Sequence, residues 1–399
     1  MRYVVIGAGA AGLSAAKKIR ELKPQDEIVV ISRDEQVISR CMLHKYIGGE
    51  RGVEDLSFVP EDFFERNRIK WLRGVSTDSI YTLAKTLICG DSSVGYDKLL
   101  IAAGSKVSIP PVGALRTAKN VYGLRHFTDA IAIREAARTA CKIVVIGAGL
   151  VGLDVAYALH GTVKSIAVVD MIPRILAANL DEHAAAAYKE RFESRKCKFH
   201  LGLVVSGTTE DSNGNVTAVV LSNGQTLPCD MVIVATGVRP AMDLIKGSNI
   251  AGENFIKVNE YLATNVADVY AAGDVTGLSS LWPNAVIQGG IAAHNMCGDH
   301  IKYTDTFAVR NTINFFGLVT LSVGVTEPSE SDKVEIRENR RAYRKVILRD
   351  GVVVGVLLQG DISNSGFWQY LIKNSINVDS VGKPVWKLSY ADFYSIINV

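Results

Sequence analysis

Tyr3-Val4-Val5-Ile6-Gly7-Ala8-Gly9-Ala10-Ala11-Gly12 decides the fold of this chain. Four apolar residues in a row read as a strand buried on both faces, as in a parallel sheet. A G-x-G-x-x-G set follows at once, and Leu13-Ser14-Ala15-Ala16-Lys17-Lys18-Ile19-Arg20 continues with helical composition and spacing. Each glycine has a mechanical task in such a strand–turn–helix. Gly7 makes the tight turn, Gly9 lets a pyrophosphate approach the backbone, and Gly12 lets helix and strand pack closely. The helix N-terminus adds free N–H groups and the positive end of its dipole. The stretch therefore predicts a pyrophosphate-binding site.

Working outward, Pro24 breaks the helix and Glu27-Ile28-Val29-Val30-Ile31-Ser32 reads as the second strand. An acidic residue usually ends that strand to take ribose hydroxyls. Here Ser32 stands there, with Asp34 and Glu35 just beyond. The whole device recurs downstream. The strand Lys142-Ile143-Val144-Val145-Ile146 runs into Gly147-Ala148-Gly149-Leu150-Val151-Gly152 and a helix. Its second strand, Ser165 to Val169, ends on Asp170, about 20 residues past the glycines as the fold expects. A carboxylate there accepts both ribose hydroxyls and repels a 2′-phosphate, which favours NADH over NADPH. Arg174, close by, pulls the other way.

Composition narrows the class. The chain has 399 residues, 48% apolar and 21% charged, which predicts two or three domains of a soluble enzyme. No apolar run reaches the roughly 18 to 20 residues of a membrane span. A core strand directly at the N-terminus leaves no room for a cleavable signal. A net charge of +3 gives no footprint for nucleic acid. Cys41, Cys89, Cys141, Cys197, Cys229 and Cys297 are dispersed without C-x-x-C or metal-ligand spacing, so free thiols in a reducing cytoplasm and no metal site are expected.

Residues 69–101 read as short strands and turns ending in Ala102-Ala103-Gly104, and Pro110-Pro111 marks a boundary. Thr128 to Ala140 reads as a helix capped by Thr128 or Asp129. Asp211 to Gln225 reads as a polar hairpin region with two Asn-Gly turns. A buried strand over Asp230 to Thr236 closes on Gly237, and Val269-Tyr270-Ala271-Ala272-Gly273-Asp274 follows. From about Arg310 the pattern turns to strand alternation over Asn314 to Val325, Val334 to Ile336, Tyr343 to Leu348 and Val352 to Gln359, then a helix over Phe367 to Lys373.

Two glycine fingerprints, each followed by an Ala-Ala-Gly or Ala-Thr-Gly strand end, plus Ala272-Gly273-Asp274, resemble the two-dinucleotide flavoproteins, the pyridine nucleotide-disulfide oxidoreductases. That family includes glutathione reductase, NADH oxidase, the nitrite reductase large subunit, NADH:rubredoxin reductase and the ferredoxin reductases. The resemblance implies an α/β fold of two Rossmann-like domains with a C-terminal α+β interface domain. FAD would sit in residues 1–112 and 240–309, NAD(H) in 113–239, and the interface domain would be 310–399. It implies FAD contacts from Gly7, Gly9, Ala11, Gly12, Ser32, Arg33, Arg40, Ala103, Gly104, Gly273, Asp274, Trp282 and Gln288. Asp274 would hold the ribityl chain. It implies NADH contacts from Gly147, Gly149, Leu150, Val151, Gly152, Asp170 and Gly237. Tail domains of this type often form homodimers.

The segment Ser39-Arg40-Cys41-Met42-Leu43-His44-Lys45 separates the branches. The disulfide reductases carry C-x-x-x-x-C here; one cysteine alone excludes a dithiol cycle within the segment. Single-cysteine NADH oxidases and coenzyme A-disulfide reductases place their redox thiol at Cys41, though between different neighbours, and the peroxidase-type histidine is replaced by Ala10. Read as R-x-x-L-x-K, Arg40, Leu43 and Lys45 resemble the ferredoxin-reductase branch, whose lysine lies near flavin N5 paired with an acid two residues past the last NAD-loop glycine. Asp154 holds that place. Leu281-Trp282-Pro283-Asn284-Ala285 with Gln288-Gly289 resembles that branch's W-x-N-A-x-x-Q-G.

Each sharp reading has a plain rival. Cys41 is either a redox centre, with Arg40 and Lys45 stabilising its thiolate, or a buried, inert cysteine packed on the flavin. Lys45 and Asp154 are either a catalytic pair or two unrelated surface charges. His44 reads as a partly exposed loop residue rather than an acid–base group, since hydride transfer to flavin needs none. Arg337, Arg340, Arg341, Arg344 and Lys345 read as a solvated face, or as a docking face for an acidic electron carrier. The expected function is NADH oxidation through FAD with electrons passed to a rubredoxin-, ferredoxin- or iron–sulfur-type carrier. The alternatives are a Cys41-dependent NADH oxidase or coenzyme A-disulfide reductase with a small-molecule acceptor, and, in another class, a redox-sensing flavoprotein.

Overall fold

The computed structural model describes residues 1–305 and 310–393. By internal contacts it divides into two compact units, one of 1–140, 210–217 and 230–306, the other of 141–209, 218–229 and 307–399. Residues 113–140, 210–217 and 230–239, expected within the NAD-binding fold, fall by these contacts in the first unit. The expected domain ends at 309 and 399 lie outside the described residues.

The first unit is built on a five-stranded parallel sheet in the order Val269–Ala271, Lys98–Ile101, Arg2–Ile6, Glu27–Ser32, Lys70–Arg73. The first strand is central, so both faces are covered and its apolar residues need not alternate with polar ones. Tyr3 and Val5 face one core with Leu13, Ile19, Ala292 and Met296. Val4 and Ile6 face the other with Leu87, Leu99 and Ile250. Helix Ala10–Leu22 lies against helix Trp282–Met296 through small residues. A Cβ added to Gly289 would stand 2.1 Å from Ala11 O, so only glycine permits that approach. Beside the sheet, Ser79–Tyr81, Thr86–Cys89 and Ser92–Gly95 form an antiparallel meander. The expected short strands of 69–101 are therefore present.

The second unit repeats the device. Lys142–Ile146, Ser165–Asp170 and Cys197–Leu201 pair in parallel, with helix Leu150–Leu159 between the first two. Its C-terminal portion is a five-stranded antiparallel sheet, in the order Arg310–Phe315, Leu318–Gly324, Val352–Gln359, Tyr343–Arg349, Lys333–Glu338. Helix Ser365–Lys373 packs Phe367, Trp368 and Leu371 on one face of it. Helix Glu182–Glu193 meets the same sheet through Tyr188, whose hydroxyl lies 2.9 Å from Thr320 Oγ1 and donates to Leu318 O at 2.7 Å.

Four local expectations are corrected. Asn314 to Val325 is not one strand but a hairpin, Arg310–Phe315 and Leu318–Gly324, turned at Phe316 (φ 52°) and Gly317 (φ 76°). The helix expected over 128–140 is Phe127–Ala136, and neither Thr128 nor Asp129 is its N-cap. His126 is; Asp129 sits inside the first turn and accepts the backbone N–H of His126 at 2.7 Å and of Arg125 at 2.9 Å. His44 belongs to the short helix Leu43–Ile47 rather than a loop. Lys345 leaves the expected solvated face: it is 7% exposed and ion-paired with Asp181, while Arg344 pairs with Asp361. Arg337, Arg340 and Arg341 are exposed. No helix among the described residues is long and apolar enough to cross a membrane.

Candidate dinucleotide sites

The first glycine turn performs each task through backbone contacts. Gly7 N–H donates to Ile31 O at 2.7 Å, and its φ of +107° is open to glycine. A Cβ on Gly7 would stand 2.3 Å from Ala102 O, and one on Gly12 1.9 Å from Gly7 O. Gly9, the N-cap of helix Ala10–Leu22, is different: a Cβ there meets nothing within 4 Å. Its open side faces a cleft of about 350 Å³. Gly7, Ala11, Ser32, Arg33, Arg40, Cys41, Ala103, Gly104, Gly273, Asp274 and Trp282 also line it.

A web of cations surrounds the cleft. Arg40 donates to Arg125 O at 2.9 Å and to Asp34 Oδ2 at 3.0 Å, and lies 2.8 Å from His126 Nδ1. Arg33 Nη2 lies 2.6 Å from His126 Nε2 and 2.9 Å from its Nδ1. Arg125 donates to Asp274 Oδ2 at 2.7 Å, and Ser105 Oγ donates to the same oxygen at 2.9 Å. Burial, then Arg125, lowers the Arg40 pKa, yet a guanidinium stays charged. Burial, then Arg40 and Arg33, pushes His126 down to about 4, so it is neutral at pH 7. The Nε of Arg125 is buried without a hydrogen-bond partner. Three guanidinia and a helix N-terminus around an open glycine suit a pyrophosphate, and the residues present fit FAD. Arg125 and His126 were not singled out in the sequence; only their place just before a helix start marked them.

His126 gives a pH prediction. Its folded pKa lies below the ordinary 6.5, so its stabilising contribution is complete above about pH 6.5 and falls as pH drops toward 4. His44, also pushed down to about 4 by burial and then Lys45, has the same sign. The flavin-free protein is expected to lose on the order of 2 kcal/mol from His126 across that window. His126→Asn should flatten the slope of melting temperature against pH in part; an unaltered slope would rule the effect out.

Other expected contacts are placed differently. Gln288 is fully buried and does not line the cleft. Its Oε1 accepts Gly273 N–H at 2.7 Å, so it positions the Gly273–Asp274 turn from behind. Ser32 Oγ donates to Asp34 O at 2.8 Å and accepts from Trp71 Nε1 at 2.9 Å, so its hydroxyl is already engaged. Trp282 packs edge-on to Phe58, with ring centroids 4.6 Å apart. Cys41 is exposed and lines the cleft. Lys45 Nζ donates to Glu50 Oε2 at 2.7 Å, a carboxylate the sequence did not single out. Asp154 is half-buried on helix Leu150–Leu159.

The second turn matches the first closely. Gly147 N–H donates to Val169 O at 2.8 Å with φ +113°, and Leu153 N–H closes the first helical turn on Gly149 O at 3.0 Å. The equivalent Leu13-to-Gly9 bond is also 3.0 Å. A Cβ on Gly149 meets nothing within 4 Å. Leu150 is half-buried, Val151 exposed and Gly152 buried. Asp170 is pinned by the backbone: Oδ2 accepts Ala148 N–H at 2.6 Å and Oδ1 accepts Ile172 N–H at 2.8 Å. Gly237 (φ +106°) falls in the first unit, where its carbonyl accepts Ser108 N–H at 3.0 Å.

Two glycine turns of one geometry, on two parallel sheets, define a protein that holds two dinucleotides. Residues 1–289 match the pyridine nucleotide-disulphide oxidoreductase family, and 310–376 match the rubredoxin NAD+ reductase C-terminal domain. The chain belongs to the pyridine nucleotide-disulphide oxidoreductases, whose cofactors are FAD and NADH. It is 30% identical to the NADH-dependent phenylglyoxylate dehydrogenase subunit epsilon of Aromatoleum evansii, covering 93% of this chain and 91% of that one. It is 27% identical to the NADH-rubredoxin oxidoreductase of Clostridium acetobutylicum, covering 95% and 96%. A crystal structure of a ferredoxin reductase from Rhodopseudomonas palustris shares the fold, with a TM-score of 0.87 at 24% identity over 98% and 99% of the two chains.

Proposed function

We propose that this protein oxidises NADH and delivers the electrons singly to a carrier protein of the rubredoxin, ferredoxin or other iron–sulfur type. The observation that carries the reading is a first glycine turn beside a cleft lined, among the described residues, by one cysteine only, with a turn of the same geometry on the second parallel sheet. A protein dithiol is not available there to store the two electrons. The C-terminal match to the rubredoxin NAD+ reductase domain supports the acceptor class. So does the relative named as a subunit of a larger NADH-dependent dehydrogenase.

Bound flavin supplies the chemistry that joins a two-electron donor to a one-electron acceptor. The chain binds and orients. FAD is assigned to residues 1–112 and 240–309, with Arg125 and His126 added to its cleft from the 113–239 stretch assigned to NADH, and 310–399 is assigned as the interface domain. The Gly7–Gly12 turn with Arg33, Arg40 and Arg125 neutralises the pyrophosphate. Asp274, fixed by Arg125 and Ser105, offers a rigid acceptor to a sugar hydroxyl. Trp282 screens the cleft from water. Asp170, already immobilised by two backbone N–H groups, takes the nicotinamide coenzyme's ribose. Lys45 holds a positive charge toward the reducible ring. The protein works in the cytoplasm, and its C-terminal sheet is the surface for a homodimer.

The exposure of Cys41 in the cleft favours one second reading, a thiol-dependent NADH oxidase or coenzyme A-disulfide reductase. Cys41→Ser separates the two. NADH-driven reduction of a rubredoxin or ferredoxin is expected to stay within about twofold of the parent. A loss of a hundredfold or more would transfer the reaction to the thiol.

A further inference from the structure

Arg174 is the one cation between Asp170 and Asp181, and it stands four residues past the carboxylate assigned to the ribose. Its segment folds back on the second glycine turn. Leu176 N–H donates to Ala148 O at 2.9 Å, and Ala148 N–H donates to Asp170 Oδ2 at 2.6 Å. Both ends of the segment carrying Arg174 are therefore held beside the nucleotide cradle. An arginine in that place is the usual partner of a 2′-phosphate.

Here the guanidinium is committed elsewhere. Its Nη2 lies 2.7 Å from Glu327 Oε1 and donates to Ala177 O at 3.2 Å. Glu327 stands between strands Leu318–Gly324 and Lys333–Glu338, in the C-terminal sheet portion rather than the nucleotide fold. The same portion grips the end of the segment, where Asp181 Oδ2 accepts from Tyr343 at 2.8 Å and from Lys345 at 3.1 Å. Glu327 leaves the capacity of Arg174 unfilled, because the buried Nε has no hydrogen-bond partner. A phosphate, with three acceptor oxygens, would satisfy Nε and Nη2 together, as one carboxylate oxygen does not.

We propose that Glu327 is a coenzyme-selectivity residue: by holding Arg174 in an ion pair, it denies NADPH the cation its 2′-phosphate needs. Selection against the phosphate is then double, by repulsion from Asp170 and by withdrawal of Arg174. The proposal rests on the assignment of the second glycine turn to NADH. Glu327 has a half-exposed side chain and acts through Arg174.

The test uses the flavin-loaded full chain with ferricyanide as acceptor. kcat/KM is measured for NADH and NADPH, and binding of adenosine 2′,5′-bisphosphate and of AMP by calorimetry. Glu327→Ala is expected to raise the NADPH-to-NADH ratio about tenfold and to tighten the bisphosphate but not AMP. Glu327→Gln, which keeps the shape without the charge, should move the ratio the same way by less. Adding Arg174→Ala to Glu327→Ala should return the ratio to its starting value. A ratio unmoved within about twofold in both single variants, or a gain that survives loss of Arg174, would overturn the role of Glu327. If NADH fails to reduce the parent protein, the coenzyme assignment itself falls and takes the selectivity proposal with it.

Discussion

Gly12→Ala is expected to unfold the first unit, whereas Gly9→Val should leave it folded and colourless. The glycines are three residues apart in one turn, yet they face different neighbours. A Cβ on Gly12 would stand 1.9 Å from Gly7 O and 3.2 Å from Val5 Cγ1. The first of these is backbone and cannot turn aside, so helix and central strand must separate, at about 3 kcal/mol or more. Gly9 has an ordinary extended conformation (φ −87°, ψ −172°) that valine adopts freely. Losing glycine at an N-cap costs about 1 kcal/mol. The valine side chain instead fills the floor on which the pyrophosphate rests, and flavin affinity should fall a hundredfold or more. The ratio of flavin to protein absorbance and the melting temperature of the flavin-free protein report the two effects separately. A fully yellow Gly9→Val protein, or a Gly12→Ala protein melting within about 2 °C of its parent, would contradict this account.

Lys345→Met should be the second severe change. The side chains of Lys345 and Asp181 are each 8% exposed and 3.1 Å apart, and Asp181 also accepts from Tyr343 Oη and from Ala184 N–H. Removing the cation leaves a buried carboxylate without its counter-charge, which costs about 3–5 kcal/mol. Asp181→Asn in addition should recover most of the loss, because the amide needs no counter-charge, its oxygen still accepts Ala184 N–H, and its NH2 can donate to Tyr343 Oη. Burial acts to raise the Asp181 pKa, but the Ala184 N–H, Tyr343 and Lys345 outweigh it, and the carboxyl ends below its ordinary value of 3.8. A depressed acid stabilises the fold at all pH values above its unfolded pKa, so the contribution should be constant from neutral pH to about pH 4 and vanish below. Calorimetric melting of the single and double variants checks both points. A Lys345→Met protein that melts with its parent would show the pair to be idle.

Legibility followed the range of the interactions. Strand Glu27–Ser32 and the strand–glycine–helix units were readable because their geometry is written within about 20 residues and depends on backbone alone. The hairpin at Phe316–Gly317 was hidden in an apolar run, since phenylalanine is a poor signal for a left-handed turn. His126 was passed over as a cap because histidine is not a usual one; the reciprocal Asp129 bond, three residues on, was the available sign. Lys345 looked like one of five surface cations. Only the position of helix Glu182–Glu193, which Asp181 caps, shows that its neighbour is an aspartate 164 residues away.

What the sequence determined by itself is that two pyrophosphate cradles exist, because a turn of glycines between strand and helix has few conformations open to it. What tertiary structure decided is which side chains close around them. Arg40 meets His126 across 86 residues, Arg125 meets Asp274 across 149, and Gln288 comes up behind Gly273. These contacts depend on strand order and helix packing, which bring remote segments within hydrogen-bond distance, and a desolvated charge there is tolerated only when such a partner arrives.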